Sequence, residues 1–191
     1  MSINLVVFAS GNGSTLQAII DAISDNKLDA KINLVVSNNK NAYALERASN
    51  VNIPTYIISS KKFIDMDNEL EQALQGINID LIVLAGYLRM IGPKLLEKYK
   101  IINTHPSLLP KFGGKGMHGM HVHQAVIDSK EKESGVTLHW VNSEYDKGDI
   151  IRQTKVEVLD TDNAETLSAK VQKAEKKQLI EVLQEFAEKN I

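Results

Sequence analysis

Short apolar runs alternate with helix-like segments along the first half of the chain. Residues 3–9 are apolar except for Asn4, which is typical of a buried strand. A helix is predicted next, because four apolar residues follow at the spacing of one helix face: Leu16, Ile19, Ile20 and Ile23. The same reasoning predicts strands at residues 32–36, 55–58 and 79–85, and helices at residues 43–48 and 67–74.

This alternation predicts an α/β protein with a mostly parallel, twisted sheet that helices cover on both faces. The C-terminal part is predicted to be antiparallel. Residues 136–141 alternate between apolar and polar side chains, which indicates a half-buried strand, and residues 150–158 form another strand. A capping box of Asp162 and Glu165 precedes a long final helix. Because no repeat, linker or low-complexity tract interrupts the chain, one domain is expected over residues 1–191.

Composition excludes several classes of function. The 22 Lys and Arg residues against 24 Asp and Glu residues give a net charge of −2, which argues against a large nucleic-acid surface. The chain has no Cys, and therefore no disulfide and no cysteine zinc site. Its N-terminus lacks the features of a signal peptide, and no apolar run reaches membrane-spanning length. We therefore expect a cytoplasmic protein that binds neither nucleic acid nor a membrane.

A glycine-rich loop, Ser-Gly-Asn-Gly-Ser at residues 10–14, joins the first strand to the first helix. This arrangement aims backbone N–H groups and the positive end of the helix dipole at an anion. The spacing matches neither a dinucleotide fingerprint nor a Walker loop, so a single phosphate group is favoured. The alternative is purely local, because Ser14 and Gln17 also have the spacing of a helix capping box.

The segment Asn-Thr-His-Pro-Ser-Leu-Leu-Pro, residues 103–110, carries the strongest candidate chemistry. It follows two apolar residues that end a short buried strand. Asn103 and His105 share one face of that strand if it continues through them, and Pro106 then ends the regular ladder. An amide and an imidazole side by side at a strand end form a candidate reaction site. The alternative is a strand-terminating turn with a hydrogen-bonded histidine.

Three segments follow predicted strands and should lie at the sheet edge where ligands bind in parallel α/β folds: residues 10–14, 86–92 and 103–110. The second segment, Gly-Tyr-Leu-Arg-Met-Ile-Gly, is unusually apolar for a loop. It is either core between two elements or a surface for a flat heteroaromatic ligand.

Two carboxylates and a group of histidines also have two interpretations each. Asp146 lies in the polar stretch 142–149, where it either forms a turn or serves a site. Glu175 interrupts an apolar row of the final helix, so its carboxylate faces either water or a ligand. The glycine-rich residues 111–120 are followed closely by histidines that raise the question of a metal: His118, His121 and His123. No acidic or thiol side chain lies in that run, so no metal is expected.

On these residues the chain resembles the glycinamide ribonucleotide formyltransferases, which are folate-dependent enzymes of purine synthesis. The resemblance spans nearly the whole chain and is carried by four motifs, at residues 10–14, 84–90, 103–110 and 146–148. The Asn-x-His-Pro-Ser-Leu-Leu-Pro element with a downstream Asp is highly specific for enzymes that use 10-formyltetrahydrofolate. Methionyl-tRNA formyltransferase and formyltetrahydrofolate deformylase resemble the chain in this element but carry a further domain that it is expected to lack.

The resemblance implies a Rossmann-like formyltransferase fold and a reaction. The formyl group of 10-formyltetrahydrofolate passes to the amine of N1-(5-phospho-D-ribosyl)glycinamide, in de novo purine (IMP) biosynthesis. By resemblance, Asn103 stabilises the negative oxygen of the tetrahedral species, and His105 transfers protons. Asp146 favours the protonated form of His105 and orders a water. No metal and no covalent intermediate are needed.

The resemblance also implies two groups of binding residues. Those for the ribonucleotide phosphate and ribose are Gly11, Asn12, Gly13, Ser14, Thr15 and Glu175. Those for the folate are Leu88, Arg89, Met90, Ile91, Asn103, Asn142, Ser143, Glu144, Tyr145 and Asp146. The chain departs from many members at Thr15, where they have Asn, and near Phe63, where some have a basic residue that meets the folate. Small-molecule partners and a monomer or weak homodimer are expected.

Two other functions stay open. A sister 10-formyltetrahydrofolate enzyme, either a deformylase or a formyltransferase for another amine, would use the same donor. A non-catalytic module that binds a phosphate ligand would keep the fold without turnover. The presence of Asn103, His105 and Asp146 together argues against the binding module, which has no need of all three.

Overall fold

The computed structural model describes residues 2–189, which form two compact units. The first unit contains the chain up to Ile102 and the chain from Ile180 onward, and the second contains Asn103–Leu179. The expectation of one domain over residues 1–191 stays a prediction, and residues 1, 190 and 191 lie outside the described part.

Helices and strands alternate in the first unit as the apolar pattern predicts. Its elements are β1 (Ile3–Phe8), α1 (Ser14–Ser24), β2 (Ala30–Ser37), α2 (Tyr43–Ser49), β3 (Thr55–Ile57), α3 (Phe63–Ala73), β4 (Leu81–Leu84) and α4 (Pro93–Lys98). Strand β5 (Ile101–His105) runs from this unit into the second. The later elements are α5 (Met120–Asp128), β6 (Glu133–Trp140), β7 (Ile150–Glu157) and α6 (Ala164–Lys189).

The seven strands have the order β3-β2-β1-β4-β5-β6-β7. Strand β1 is parallel to β2 and β4, and β2 is parallel to β3, whereas β6 and β7 are antiparallel. The predicted α/β class, with a mostly parallel sheet and an antiparallel C-terminal part, is confirmed. None of the helices within residues 2–189 is long and apolar enough to cross a membrane.

Strand β1 shows why continuous apolar runs mark buried parallel strands. Val6, Val7 and Phe8 have no exposed surface, since both faces of the strand are covered. The ring of Phe8 packs edge to face on the ring of Tyr87, with centroids 5.2 Å apart. Each fully buried side chain of this size contributes about 1.5–3 kcal/mol, so the sheet is a rigid support for the loops at its strand ends.

Three parts of the fold differ from the sequence predictions. Helix α3 begins at Phe63, four residues before the predicted start. Helices α4 and α5 were not predicted, because α4 has only six residues and α5 follows a glycine-rich stretch. The prediction that the first C-terminal strand is half-buried is wrong, since β6 is buried on both faces from Ser134 to His139. Its polar side chains have partners inside the protein: the Thr137 hydroxyl donates to the Ser107 carbonyl at 2.7 Å.

The cap of α6 lies one residue later than predicted. The Thr166 N–H donates to Asn163 Oδ1 at 2.9 Å, and the Asn163 N–H donates to Thr166 Oγ1 at 3.0 Å. This reciprocal pair is a capping box. Asp162 instead accepts from the Leu159 N–H and the Lys170 ammonium, at 2.8 and 2.6 Å.

Candidate active site

The N-terminus of α1 has the geometry of an anion site. Gly13 precedes α1 with φ 73°, and a Cβ at this position would lie 2.7 Å from the Ala44 Cβ, so only glycine fits. The first N–H groups of a helix have no partner within the helix and point outward from its end. The loop at residues 11–15 therefore presents backbone donors at the end of the helix; it is called the phosphate loop below, after the ligand that the resemblance implies.

Ser14 does not serve as a local cap. Within the described residues, α1 has no side-chain cap hydrogen bond, so the capping-box interpretation of Ser14 is wrong. Gln17 uses its amide elsewhere: Nε2 donates to Asp21 at 2.8 Å, and Oε1 accepts from Arg47 at 2.9 Å. Gly11 and Asn12 are exposed, whereas Thr15 is buried with 8% of its surface exposed.

Arg47 on α2 braces the phosphate loop. Its Nε donates to the Asn12 carbonyl at 2.8 Å, and its Nη2 donates to Asn12 Oδ1 at 2.9 Å. The guanidinium lies over the Tyr43 ring, 4.7 Å from the centroid, and the Ala44 N–H donates to the Gly11 carbonyl at 3.2 Å. Arg47 was not predicted, because nothing in a short helix marks one arginine as the partner of a distant loop.

The apolar loop after β4 is divided between core and surface. Tyr87 and Ile91 are buried, with 7% and 2% of their surface exposed. Between them, Leu88 is 52% exposed and Arg89 is exposed, while Met90 is half-buried. Two anchored residues thus hold a short outward-facing stretch. Residues 88–91 are therefore not simply core; they are called the folate segment below, after the ligand that the resemblance implies.

The second unit gathers the three predicted catalytic residues and adds His139. His105 Nδ1 lies 3.5 Å from Asp146 Oδ2, and His139 Nε2 lies 3.6 Å from Asp146 Oδ1. Asn103 Nδ2 lies 3.1 Å from His139 Nε2. The Asp146 carboxylate thus faces the imidazoles of His105 and His139, and His139 also contacts the Asn103 amide.

His105 is buried, and one of its ring nitrogens contacts the main chain. It is 4% exposed, and its Nε2 lies 2.7 Å from the Phe112 carbonyl. A carbonyl can only accept, so Nε2 carries a proton, and the neutral ring leaves Nδ1 as a base that faces Asp146. Burial lowers the pKa of His105 below its usual value, although the Asp146 carboxylate and the Phe112 bond oppose this change. Asp146 therefore favours the protonated form of His105, as the resemblance implies, but the effect of burial on the pKa is larger.

Asp146 combines a tight turn with a charged site. Its φ is 56°, in the left-handed region that Asp tolerates better than most residues. A Cβ on Gly148 would lie 1.7 Å from the Trp140 carbonyl oxygen, so the turn packs closely against the end of β6. Burial alone would raise the pKa of Asp146, but His139, His105 and the N–H of Gly114 together lower it. The carboxylate is therefore ionised at neutral pH.

The glycine-rich segment begins beside these residues. The carbonyl of Phe112 accepts from His105, and the Gly114 N–H donates to Asp146 Oδ2 at 2.8 Å. A Cβ on Gly113 would meet Leu109 Cδ2, so a larger residue here would have to displace the Leu109 side chain. Residues 112–114 therefore fix both groups with main-chain atoms.

His139 orients the Asn103 amide. Its Nδ1 lies 2.8 Å from the Trp140 carbonyl and must therefore carry the proton. In the tautomer that carries its proton on Nδ1 alone, Nε2 accepts from Asn103 Nδ2. The second N–H of the amide can donate to a substrate oxygen. His139 was predicted only as a strand residue, and its one signal in the sequence is its place two residues after Thr137 on the polar face.

The remaining predicted site residues of the second unit are Glu175 on α6 and the loop that precedes Asp146. Glu175 Oε1 accepts from the Thr104 hydroxyl at 3.0 Å, and Thr104 leaves β5 on the opposite face from Asn103 and His105. Residues 142–145 are exposed and form the loop before Asp146, where Asn142 Oδ1 accepts from the Glu144 N–H at 2.9 Å. Within residues 2–189, no group of three or more His, Asp or Glu side chains is placed to hold a metal ion.

Comparison with known proteins identifies the class. The sequence matches the formyl transferase family over residues 3–183, and the chain belongs to this family.

Within this family, the chain is similar to phosphoribosylglycinamide formyltransferases in both sequence and structure. Phosphoribosylglycinamide formyltransferase of Haemophilus influenzae is 39% identical over 176 residues, which cover 90% of this chain and 81% of the relative. The chloroplastic phosphoribosylglycinamide formyltransferase of Arabidopsis thaliana is 38% identical over 193 residues, 98% of this chain and 66% of the relative. The crystal structure of glycinamide ribonucleotide transformylase 1 from Geobacillus kaustophilus has a TM-score of 0.90 and 35% identity, covering 98% of this chain and all of that one. These matches confirm the resemblance that the motifs indicate.

Proposed function

We propose that this chain transfers the formyl group of 10-formyltetrahydrofolate to the amine of N1-(5-phospho-D-ribosyl)glycinamide, a step of de novo purine synthesis. The observation that carries the proposal is the grouping of Asn103, His105 and Asp146. Asp146 lies 3.5 Å from His105 and 3.6 Å from His139, and His139 lies 3.1 Å from Asn103. The names of the relatives support the choice of acceptor. No cysteine or metal chemistry enters the reaction.

Addition comes first. The primary amine of the glycinamide attacks the formyl carbon, so that a C–N bond forms and negative charge develops on the formyl oxygen. Asn103 donates its second N–H to this oxygen, while His139 holds the amide in place. Loss of one such donor typically costs about 2.7–4 kcal/mol of transition-state stabilisation.

Elimination then releases the folate. The bond from the formyl carbon to N10 breaks, and the proton lost by the attacking nitrogen goes to N10. In its neutral form, which burial favours, His105 can take this proton at Nδ1 and deliver it to N10. The ionised Asp146 carboxylate, 3.5 Å from Nδ1, stabilises the imidazolium that exists between the two transfers.

Two segments of the first unit suit the two substrates. The phosphate loop offers backbone donors at a helix N-terminus, which fits the phosphate of the ribonucleotide. The folate segment presents Leu88, 52% exposed, beside main-chain amides, which fits a flat ring that is apolar on its faces and polar at its edge. In the second unit, Glu175 is proposed to bind the ribose, and residues 142–146 to bind the folate.

A spectrophotometric assay of tetrahydrofolate formation tests the proposal. Turnover of 10-formyltetrahydrofolate should require the glycinamide ribonucleotide and should disappear when the acceptor is withheld. Release of formate without an acceptor would instead identify a deformylase. Binding of both ligands without any turnover would identify a binding module.

The hydrogen bonds from Arg47 to Asn12 lead to a separate prediction about the affinity for phosphate. Arg47→Ala should weaken the binding of inorganic phosphate and raise the KM for the ribonucleotide roughly tenfold, because charge-assisted bonds to Asn12 are each worth about 1.5–3 kcal/mol. The kcat should change little. Calorimetric titration with phosphate measures the effect, and Lys40→Ala, which removes an exposed positive charge nearby, is the control. Equal losses in both variants would show that only net charge matters.

The position of the Asp146 carboxylate leads to a prediction about the pH dependence of kcat. Burial lowers the pKa of His105 and Asp146 raises it, so Asp146→Asn should lower this pKa further. The ring then stays neutral to lower pH, and the acid limb of the kcat profile should move to lower pH. The maximal kcat should fall strongly with the KM for the ribonucleotide unchanged, because the imidazolium loses its counter-charge. An acid limb that moves upward would contradict this assignment, and equal losses in kcat and ribonucleotide binding would indicate a structural turn.

A further inference from the structure

Ser10 lies between β1 and the phosphate loop, and 7% of its surface is exposed. Its hydroxyl donates to Asn38 Oδ1 at 2.5 Å and accepts from the Leu88 N–H at 3.0 Å. Its backbone N–H donates to the Gly86 carbonyl at 3.1 Å, and its own carbonyl accepts from Asn39 Nδ2 at 3.2 Å. Through its main chain and its hydroxyl, Ser10 thus bonds to the loop at residues 38–39 and to the loop at residues 86–88.

These bonds join loops that follow three neighbouring strands. Strands β2 and β4 are the two parallel partners of β1, and Asn38 and Leu88 come shortly after their ends. The bond to Leu88 has a particular consequence, because Leu88 begins the folate segment and Ser10 precedes the phosphate loop directly. One buried hydroxyl therefore connects the two segments, and all of these residues belong to the first unit.

We propose that the Ser10 hydroxyl couples the two segments, so that an anion on the phosphate loop strengthens folate binding at residues 88–91, and the folate strengthens anion binding. This inference rests on the proposed function, from which it takes the two ligands. Ser10 is a positioning residue, since it acts through Gly11 on one side and through Leu88 on the other.

The coupling follows from how the bonds share one residue. An anion that fixes Gly11 also fixes Ser10, and with it the acceptor that holds the N–H of Leu88. Part of the conformational entropy lost on ordering the folate segment is then lost before the folate binds, so the folate binds more tightly. Coupling between two ligands is reciprocal and typically amounts to about 5- to 150-fold in affinity.

Calorimetric titrations of the full chain test the coupling. Tetrahydrofolate carries no formyl group, so it can be titrated with and without saturating glycinamide ribonucleotide in the absence of turnover. In the wild type, the ribonucleotide should tighten tetrahydrofolate binding about fivefold or more. In Ser10→Ala this ratio should fall to about 1, while each ligand still binds alone. Inorganic phosphate in place of the ribonucleotide should retain the wild-type effect, and its failure to do so would overturn the inference.

Two variants separate coupling from stability. Ser168→Ala removes another buried serine hydroxyl, one that accepts from Gln172 Nε2 at 3.1 Å, and should keep the wild-type ratio. Ser10→Thr keeps the hydroxyl and should restore the ratio. An unchanged ratio in Ser10→Ala, an equal loss in Ser168→Ala, or a wild type without coupling would overturn the inference and leave the proposed function standing. A wild type that binds neither ligand would overturn both.

Discussion

His105→Ala is expected to lower kcat by about 10²- to 10⁴-fold, the usual contribution of a positioned acid–base group. The KM values of both substrates should change little, because the ring is buried and its contacts are with Phe112 and Asp146. In the wild type, kcat should fall on the acid side with an apparent pKa below the usual value for histidine, since burial lowers the pKa of His105 and only the neutral ring accepts the amine proton. This limb should be absent from the residual activity of the variant.

A conservative variant separates proton transfer from packing. His105→Gln keeps a side-chain N–H for the Phe112 carbonyl but cannot carry a proton between two nitrogens. Its kcat should be as low as that of His105→Ala. The exposed His121, replaced by Ala, is the matched control and should have wild-type kcat. If His105→Gln keeps more than about a tenth of the activity, His105 acts by holding the glycine-rich segment rather than by moving protons.

Strands β1 and β4 were predictable because they are almost entirely apolar. Residues 3–9 and 79–85 could be placed without any knowledge of their partners, since only a strand buried on both faces tolerates such a run. The same criterion failed for β6. Thr137 and His139 look like residues of an exposed face, and only the distant carbonyl of Ser107 and the amide of Asn103 show that they are buried and satisfied.

The site shows the same division between local and distant information. Asn103, His105 and Asp146 could be found from motifs, because each lies in a short segment with a specific sequence. The residues that orient them could not. Asn103 is 36 residues from His139, and Asn12 is 35 residues from Arg47. Such pairs depend on which strands and helices become neighbours in space, and no local spacing encodes that.

Loss of the Asn103 side chain should lower kcat by about 10²- to 10³-fold, the usual effect of removing one donor to a developing oxyanion. Asn103→Asp should be at least as slow, because it keeps the shape but replaces a donor with a negative charge. Binding of the ribonucleotide should be largely retained, since the charge that Asn103 meets develops only as the amine attacks. Steady-state kinetics with each substrate varied in turn measures the split, and Asn41→Ala on an exposed loop is the control.

His139→Ala should give a smaller loss than Asn103→Ala, because the amide remains but nothing holds its orientation. His139→Gln should restore part of the activity, since its side-chain oxygen can accept from Asn103 in place of Nε2. The double variant Asn103→Ala/His139→Ala should be no slower than Asn103→Ala alone, because two residues that act as one unit do not have additive effects. Additive losses would mean that His139 contributes through Asp146, 3.6 Å away, rather than through the amide. The double-mutant cycle therefore shows whether His139 acts through Asn103 or through Asp146.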